Sequence, residues 1–193
     1  MKYLIFIILI TMYLSGNSYS QTDTTNIKKW EVGIYVGAMI PESDFMRQFD
    51  ISPNVSLEIG YNFNSRFSTY LNSTYNFIKT PYSNYPGFHN NITTKLIEVK
   101  TGLRYNFSKT LPRFFTDAGI GFYNFRYLYE DGFWETHVQN INNLGFHGDL
   151  GLELPTYKNI ILSFSFRYTY ILLTDNYSDA TYYGIRSGIK YMF

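Results

Sequence analysis

The sequence contains no cysteine, so no disulfide can stabilise its fold and no lipid can be attached through an N-terminal cysteine. An excess of one charge is also missing, because 16 lysine and arginine residues stand against 15 aspartate and glutamate residues. Proteins that bind nucleic acid need a basic excess to neutralise phosphates. The composition therefore gives no indication of a nucleic-acid partner.

Long apolar runs are missing too, since the longest one, residues 3–14, has only about twelve residues. A helix needs about 20 apolar residues to cross the hydrocarbon core of a bilayer. Lys2 precedes this run, and Ser18-Tyr19-Ser20 follows it as a small-x-small cleavage signal. We therefore predict a signal peptide over residues 1–20 that is removed during export, followed by a short periplasmic tail over 21–29.

Aromatic residues, in contrast, are abundant, with 20 tyrosines and 17 phenylalanines. So many rings need an apolar environment, and tyrosine also needs a partner for its hydroxyl group. A membrane interface provides both, since aromatic belts form at the level of the lipid headgroups.

Beyond the leader, apolar and polar residues alternate with the period of two that is typical of β-strands. In the last segment, Ile185, Ile189 and Phe193 share one face, whereas Arg186 and Lys190 take the other. Eight such segments lie near residues 30–38, 53–63, 67–78, 95–107, 113–127, 143–154, 160–171 and 181–193. An even number of strands is what a single-chain outer-membrane barrel requires.

The connections between these segments alternate between short and long. Short turns are predicted at 64–66, 108–112 and 155–159, and long loops at 40–52, 79–94, 128–142 and 172–180. Transmembrane barrels have short periplasmic turns and long extracellular loops. We therefore expect both ends of the barrel domain, residues 30–193, to lie on the periplasmic side.

The distribution of glycine decides which face points into the barrel. The glycines of the strands fall on the charged face, namely Gly33, Gly37, Gly60, Gly102, Gly119, Gly121, Gly145, Gly151, Gly184 and Gly188. A soluble barrel would turn its apolar face inward, but the interior of an eight-stranded barrel has little room. We therefore expect glycines and modest side chains inside, and the apolar face and its rings outside.

The aromatic residues of the apolar face also fall into two belts along the strands. At the short-turn ends are Trp30, Tyr61, Phe63, Phe67, Tyr105, Phe107, Phe114, Tyr191 and Phe193. Toward the long-loop ends are Tyr75, Phe77, Phe122, Phe146, Tyr168, Tyr170 and Tyr183. Two belts around an aliphatic middle indicate the two interfaces of a bilayer.

The inward face carries charges that must be paired, because an unpaired charge in a narrow interior is costly. The charged residues are Glu31, Glu58, Glu98, Lys100, Arg104, Asp117, Asp149, Glu153, Arg167, Arg186 and Lys190. Counting back from the turns predicts that Arg104 pairs with Asp117 and that Asp149 pairs with Arg167. Arg167 is expected to face Arg186, which would place Asp149 beside two guanidinium groups, and closure is expected to bring Lys190 toward Glu31. Such a set of charges forms either an ion path or a salt-bridged core, and the small strand number favours the core.

The leader, the two belts and the last strand ending on Phe193 resemble the small eight-stranded outer-membrane β-barrels of the OmpA/OmpX type, within the porin-like β-barrel family. The resemblance covers residues 30–193 and implies an all-β protein, a closed antiparallel eight-stranded transmembrane barrel. It implies export through the periplasm to the outer membrane of a Gram-negative bacterium. The partners it implies are outer-membrane lipid and lipopolysaccharide, the barrel-assembly machinery acting on the strand that ends at Phe193, and an extracellular ligand of the loops.

The resemblance leaves the function open between three classes. The function we expect is a non-enzymatic structural or surface-binding scaffold that displays four extracellular loops. A barrel enzyme that modifies lipid A, an acyl hydrolase or transferase, would need an activated nucleophile such as a serine beside a histidine. The histidines are His89, His137 and His147, and no serine lies within two residues of any of them. We therefore predict no catalytic, cofactor-binding or metal-binding residues, and a small-solute pore is the third alternative.

Overall fold

The fold is a closed antiparallel barrel in a computed structural model that describes residues 29–43, 46, 49–79, 93–130, 136–173 and 179–193. Its strands are β1 (Trp30–Pro41), β2 (Ser52–Asn62), β3 (Phe67–Lys79), β4 (Thr93–Asn106), β5 (Arg113–Glu130), β6 (Thr136–Tyr157), β7 (Ile160–Leu172) and β8 (Ala180–Met192). No helix within the described ranges combines the length and hydropathy needed to cross a membrane. The predicted leader, residues 1–20, lies outside the described residues.

Closure of the barrel joins its first and last strands. Strands β1 and β8 pair antiparallel, with Ile34 opposite Ile189, and the amide of Phe193 donates to the carbonyl of Trp30 at 2.9 Å. Hydrocarbon offers backbone groups no hydrogen-bond partner, so a sheet in a bilayer must have no free edge at that depth. The predicted architecture, including eight strands in an up-and-down order, is confirmed.

The apolar side chains point away from the barrel axis, as the glycine distribution predicts. Ile34 is 61% exposed and Leu57 is 48% exposed, whereas the neighbouring inward residues Tyr35 and Glu58 are each 1% exposed. The exposed apolar face matches the hydrocarbon that surrounds a transmembrane barrel.

The rings of the two aromatic belts contact one another, some across adjacent strands and some along a single strand. Most of the contacts are edge-on or tilted, which the quadrupole of an aromatic ring favours. The distances between ring centroids are 5.0 Å for Trp30–Tyr61, 5.1 Å for Phe67–Tyr105, 5.0 Å for Tyr191–Phe193, 4.7 Å for Tyr75–Phe77 and 5.4 Å for Phe166–Tyr183.

The expectation that only modest side chains fill the interior is wrong. Among the described residues of the strands, six buried aromatic rings also lie there, belonging to Tyr35, Tyr70, Phe115, Tyr123, Phe125 and Tyr182. Glycines on neighbouring strands lie directly beside four of them, Tyr35, Tyr70, Phe115 and Tyr123. A Cβ atom at Gly151 would lie 2.2 Å from Cζ of Phe115, and one at Gly188 would lie 2.4 Å from Cδ1 of Tyr35. The inward glycines therefore make room for large rings, since only glycine allows so close an approach.

The predicted loop at 128–142 is also wrong, because most of it is strand. The β5–β6 ladder continues to the pair Glu130 and Thr136, which makes these two strands the longest in the barrel. On the outer face there, the exposed residues Arg126, Asn140 and Asn142 accompany the apolar Val138, and the side-chain amides of Asn124 and Asn142 are hydrogen-bonded at 2.6 Å. Beyond the bilayer no lipid face has to be apolar, so the alternation in the sequence disappears although the ladder continues.

The predicted turn at 155–159 shortens to two residues. Strand β6 continues to Tyr157 through an irregularity between Pro155 and Tyr157. Lys158 then takes a φ of 48°, a left-handed conformation that a two-residue hairpin loop of the mirror-image type requires.

The orientation of the two faces can be tested with single cysteines, because the chain has none of its own. Phe164 and Ser165 are neighbours on β7, and they are 42% and 7% exposed, respectively. We expect a maleimide confined to the bilayer interior to modify the Phe164→Cys variant and to leave Ser165→Cys unmodified, because only residue 164 faces lipid. The mass of each reconstituted variant measures the reaction. Preferential modification of Ser165→Cys would mean that the barrel is inverted.

Candidate functional site in the barrel lumen

The lumen is lined by charged side chains of both signs. In the part of the chain that the structure describes, six buried acids (Glu31, Glu58, Glu98, Asp117, Asp149 and Glu153) accompany six buried bases (Lys100, Arg104, Arg113, Arg167, Arg186 and Lys190). A buried charge is tolerated only when it is paired and hydrogen-bonded. Equal numbers allow every charge to be neutralised within the barrel.

Arg104 is the centre of this arrangement. Its guanidinium group lies 3.0 Å from Glu58, 3.1 Å from Asp117, 3.4 Å from Glu31 and 3.8 Å from Glu153. These four carboxylates come from strands β1, β2, β5 and β6, so one side chain of β4 connects opposite walls of the barrel. Arg104 with Asp117 is one of the predicted pairs and is confirmed.

Aromatic rings lie against two of the guanidinium groups. The Cζ atom of Arg104 lies 4.4 Å from the ring centroid of Phe115 and 5.0 Å from that of Tyr70, and Cζ of Arg186 lies 4.7 Å from that of Tyr35. A guanidinium group over a ring gains a cation–π attraction, which is larger when both are desolvated. The buried rings are thus part of the charge arrangement.

Asp149 joins two arginines, as the sequence predicts. Nε and Nη2 of Arg167 donate to it at 2.5 and 2.7 Å, and Nη2 of Arg186 donates at 2.7 Å. The second guanidinium group also reaches Glu58 at 3.3 Å. The expected facing of Arg167 and Arg186 is wrong, since Arg167 lies opposite Gly184 in the β7–β8 ladder. Both arginines nevertheless reach Asp149, because their side chains are long.

Lys190 closes the arrangement at the seam of the barrel. Its Nζ atom lies 2.6 Å from Glu31, which confirms the predicted pair, and 2.7 Å from Glu153. Arg113 also binds Glu153, at 2.6 Å. The two contacts of Glu153 were not predicted. Lys190 and Glu153 lie on β8 and β6, which are separated by β7, so ladder register does not reveal that they meet.

These contacts connect ten charges in one network, which we call the lumen network. Its acids are Glu31, Glu58, Asp117, Asp149 and Glu153, and its bases are Arg104, Arg113, Arg167, Arg186 and Lys190. Beside it, Glu98 accepts hydrogen bonds from Lys100 on its own strand and from Asn76 on β3. A charge-balanced network of this kind fits a salt-bridged core better than an ion path, because an ion would have to break existing pairs.

An apolar cluster lies in the long-loop half of the lumen. Met46 and Phe49, from the connection between β1 and β2, pack there against Met39, Leu96 and Tyr123 on the strands. The exposed fraction of Met46 is 0% and that of Phe49 is 5%, so both of these side chains lie inside the barrel mouth. The described residues therefore close the lumen at this end with apolar side chains.

Residues 8–193 match the family model described as the outer membrane protein β-barrel domain. The chain belongs to the outer-membrane protein β-barrel family. It is therefore a protein of the bacterial outer membrane. Barrels of this class have their short turns on the periplasmic side and their long loops outside. No curated protein sequence matches the chain.

Solved structures show the same fold in other outer-membrane barrels. Neisserial surface protein A is 16% identical with a TM-score of 0.61, and the match covers 85% of this chain and 97% of that one. A major outer membrane protein of Thermus thermophilus is 12% identical, with a TM-score of 0.60 and coverage of 85% and 99%. The attachment invasion locus protein Ail of Yersinia pestis is 12% identical, with a TM-score of 0.56 and coverage of 86% and 100%.

The histidines of this outer-membrane barrel lie in different places. His147 points into the lumen, where its Nε2 atom lies 2.6 Å from Oη of Tyr70, and that hydroxyl group donates to Asp117 at 2.8 Å. His137 lies on β6 opposite Tyr129, in the hairpin rather than in a loop, and His89 lies outside the described residues. Within the described ranges, no group of side chains has the composition of a metal site.

The lumen network gives a prediction for the stability of the barrel. Arg104→Met keeps most of the side-chain volume but removes the cation shared by four carboxylates, so we expect a loss of about 3–5 kcal/mol in the free energy of unfolding. Arg66→Met, in the exposed turn after β2, should change that energy by no more than about 0.5 kcal/mol. Urea unfolding in detergent micelles, followed by fluorescence, measures both. Equal effects of the two substitutions would contradict the central role of Arg104.

Proposed function

We propose that this outer-membrane barrel is a non-enzymatic, non-conducting scaffold that binds an extended segment of another protein along the projecting edge of strand β6. The observation that supports the proposal is the difference in length between β6 and β7. Strand β6 begins at Thr136, but the β6–β7 ladder begins only at Leu144, opposite Leu172. The region between these positions extends beyond the barrel wall.

Within the described ranges, β5 is the only strand that pairs with the projecting part of β6. Strand β5 pairs with β4 as far as Leu128, which lies opposite Thr93. Residues 136–142 of β6 pair with β5, and no other described strand pairs with them. We call residues 136–142 the β6 edge. An unpaired strand edge presents backbone donors and acceptors that can add a further strand.

The composition of the β6 edge fits this function. Proteins usually protect free edges with lysine, proline or a bulge. Residues 136–142, THVQNIN, contain no lysine, arginine, acid or proline, and Val138 is 48% exposed. At 3.4 Å per residue, seven residues present an edge about 24 Å long, which is enough for a short peptide strand.

The lumen supports the non-conducting part of the proposal. The ten charges of the lumen network are already paired, and Met46 and Phe49 close the barrel mouth. His147 supports the non-enzymatic part, because it is only 5% exposed and lies inside the wall, whereas lipid lies outside. The proposal further includes contact of the belts with outer-membrane lipid and lipopolysaccharide, and recognition of β8 and Phe193 by the barrel-assembly machinery.

The β6 edge can be tested with a random 12-residue peptide library displayed on phage. In a shortened variant, Asn-Gly replaces residues 126–140 and joins Phe125 to Ile141, which lie opposite each other in the ladder. We expect selection on the natural barrel in proteoliposomes to enrich phage that do not bind the shortened barrel. Heat-modifiable migration in gels shows whether both barrels are folded.

Backbone pairing makes a sharper demand on the enriched peptides. In an added peptide strand, every second backbone amide points toward β6 and the others point away. N-methylation of the amides that face β6 should therefore abolish binding, whereas N-methylation of the alternate amides should leave binding intact. Absence of hairpin-dependent peptides, or equal binding by both methylated series, would overturn the proposal.

The non-enzymatic part predicts that lipid A is unchanged. We expect identical lipid A masses in cells that carry an empty vector, the natural protein, or the variants His89→Ala, His137→Ala and His147→Ala. Mass spectrometry of extracted lipid A makes this comparison. A change in acyl-chain number that the natural protein causes and one histidine variant removes would show that the barrel is an enzyme.

A further inference from the structure

One inward glycine differs from all the others that the structure describes. At Gly33, Gly37, Gly60, Gly102, Gly119, Gly121, Gly145, Gly151 and Gly188, an added Cβ atom would lie less than 3.0 Å from another atom. At Gly184 the nearest atom, Cβ of Arg167, would be 3.4 Å away, which is an ordinary van der Waals distance. The lumen therefore contains a space beside Gly184 that the protein does not fill.

This space is a small cavity between β2, β3, β4, β7 and β8. Its volume is about 20 Å³, and Ser56, Thr74 and Tyr182 are among the residues that line it. One water molecule needs about 10–15 Å³ on the same scale. The cavity therefore has room for one water molecule or one monatomic ion, and it is too small for sulfate or phosphate.

The wall of the cavity is predominantly positive. Lys100, Arg167 and Arg186 line it together with a single carboxylate, that of Glu98. Both oxygens of this carboxylate are already hydrogen-bonded, one to Asn76 and the other to Lys100. The carboxylates that pair with Arg167 and Arg186, those of Asp149 and Glu58, do not line the cavity, so the excess of positive charge is confined to its wall.

Hydrogen-bond donors remain available at this wall. Arg167 binds Asp149 through Nε and Nη2, and none of its hydrogen bonds within the described ranges uses its Nη1 atom. Tyr182 is 2% exposed, and its hydroxyl group lies beside Glu98 and Thr169 but makes no hydrogen bond of normal geometry in the described part of the chain. A buried hydroxyl group without a partner is costly, so a ligand that accepts its proton would stabilise the barrel.

We propose that this cavity binds one halide ion, chloride in its natural setting, between Lys100, Arg167, Arg186 and Tyr182. A halide ion accepts hydrogen bonds from every direction and neutralises the local positive charge. A water molecule would also have to donate two hydrogen bonds, and this wall, with three cationic side chains and one carboxylate, offers more donors than acceptors.

The site links halide binding to folding. Its cations come from β4 and from the β7–β8 hairpin, which are distant in the sequence and meet only in the closed barrel. A ligand that binds only the folded state stabilises it in proportion to the logarithm of ligand concentration. The halide ion is therefore an internal structural ligand, independent of the proposed binding function of the β6 edge.

The experiment uses full-length protein unfolded in urea and refolded in detergent with sodium bromide as the only halide salt. We expect an anomalous bromide peak beside Gly184 in crystals of this protein. In urea titrations at constant ionic strength, with sodium gluconate replaced stepwise by bromide, the ratio of unfolded to folded protein should fall about tenfold for each tenfold rise in bromide above its dissociation constant.

Two glycine substitutions provide the matched comparison. Gly184→Val fills the cavity without removing a charge, whereas Gly148→Val adds the same side chain at an outward position whose Cβ atom would lie 3.5 Å from the nearest atom. We expect the first variant to lose both the peak and the bromide dependence, and the second to retain both. Gly184→Ala, which adds a single methyl group, serves if the valine variant does not fold.

Three results would overturn the proposal. The first is electron density in the cavity without an anomalous signal, which would mean that only water is bound. The second is equal unfolding in bromide and in gluconate, and the third is a bromide peak that persists in Gly184→Val.

Discussion

Hydrocarbon cannot form hydrogen bonds with a peptide group, and this constraint governs the whole molecule. It requires the sheet to close, which it does between β1 and β8, and it requires the outer face to be apolar at membrane depth. With eight strands, closure produces a lumen too narrow for bulk water. The polar face of each strand must then find its partners inside the barrel, and the paired charges of the lumen network are the consequence.

Filling the narrow lumen depends on the contrast between glycine and large side chains. Phe115 lies against Gly151 and Tyr35 lies against Gly188, so the ring of one strand packs where the neighbouring strand has a glycine and no side chain. The same rings cover the guanidinium groups of Arg104 and Arg186. The rings of Phe115 and Tyr35 therefore have two roles, because each fills volume in the lumen and contacts a guanidinium group.

The sequence predicts those features that depend on period and on ladder register. Arg104 with Asp117 and Lys190 with Glu31 were predictable because neighbouring strands bring them together. Lys190 with Glu153 was not, since the contact crosses the lumen between strands that do not pair. The contact of His147 with Tyr70 was missed for the same reason, because β6 and β3 are not neighbours.

The extent of the β5–β6 hairpin was missed for a different reason. Apolar and polar residues alternate only along the part of a strand that contacts lipid. Backbone pairing between β5 and β6 continues beyond that part, to Glu130 and Thr136. The candidate site at Gly184 could not be predicted either. The sequence contains ten inward glycines, and only the three-dimensional packing distinguishes the one that leaves a space.

The order of the charges along the chain has a consequence for biosynthesis. All six buried acids lie on strands β1 to β6, whereas two of the six buried bases, Arg186 and Lys190, lie on β8. A nascent chain that lacks its last strand therefore has two more acids than bases in its future interior. The charges of the barrel interior balance only when β8 is present. A polypeptide without β8 would bury unpaired acids and is therefore unsuited to the membrane, whereas the complete polypeptide is not.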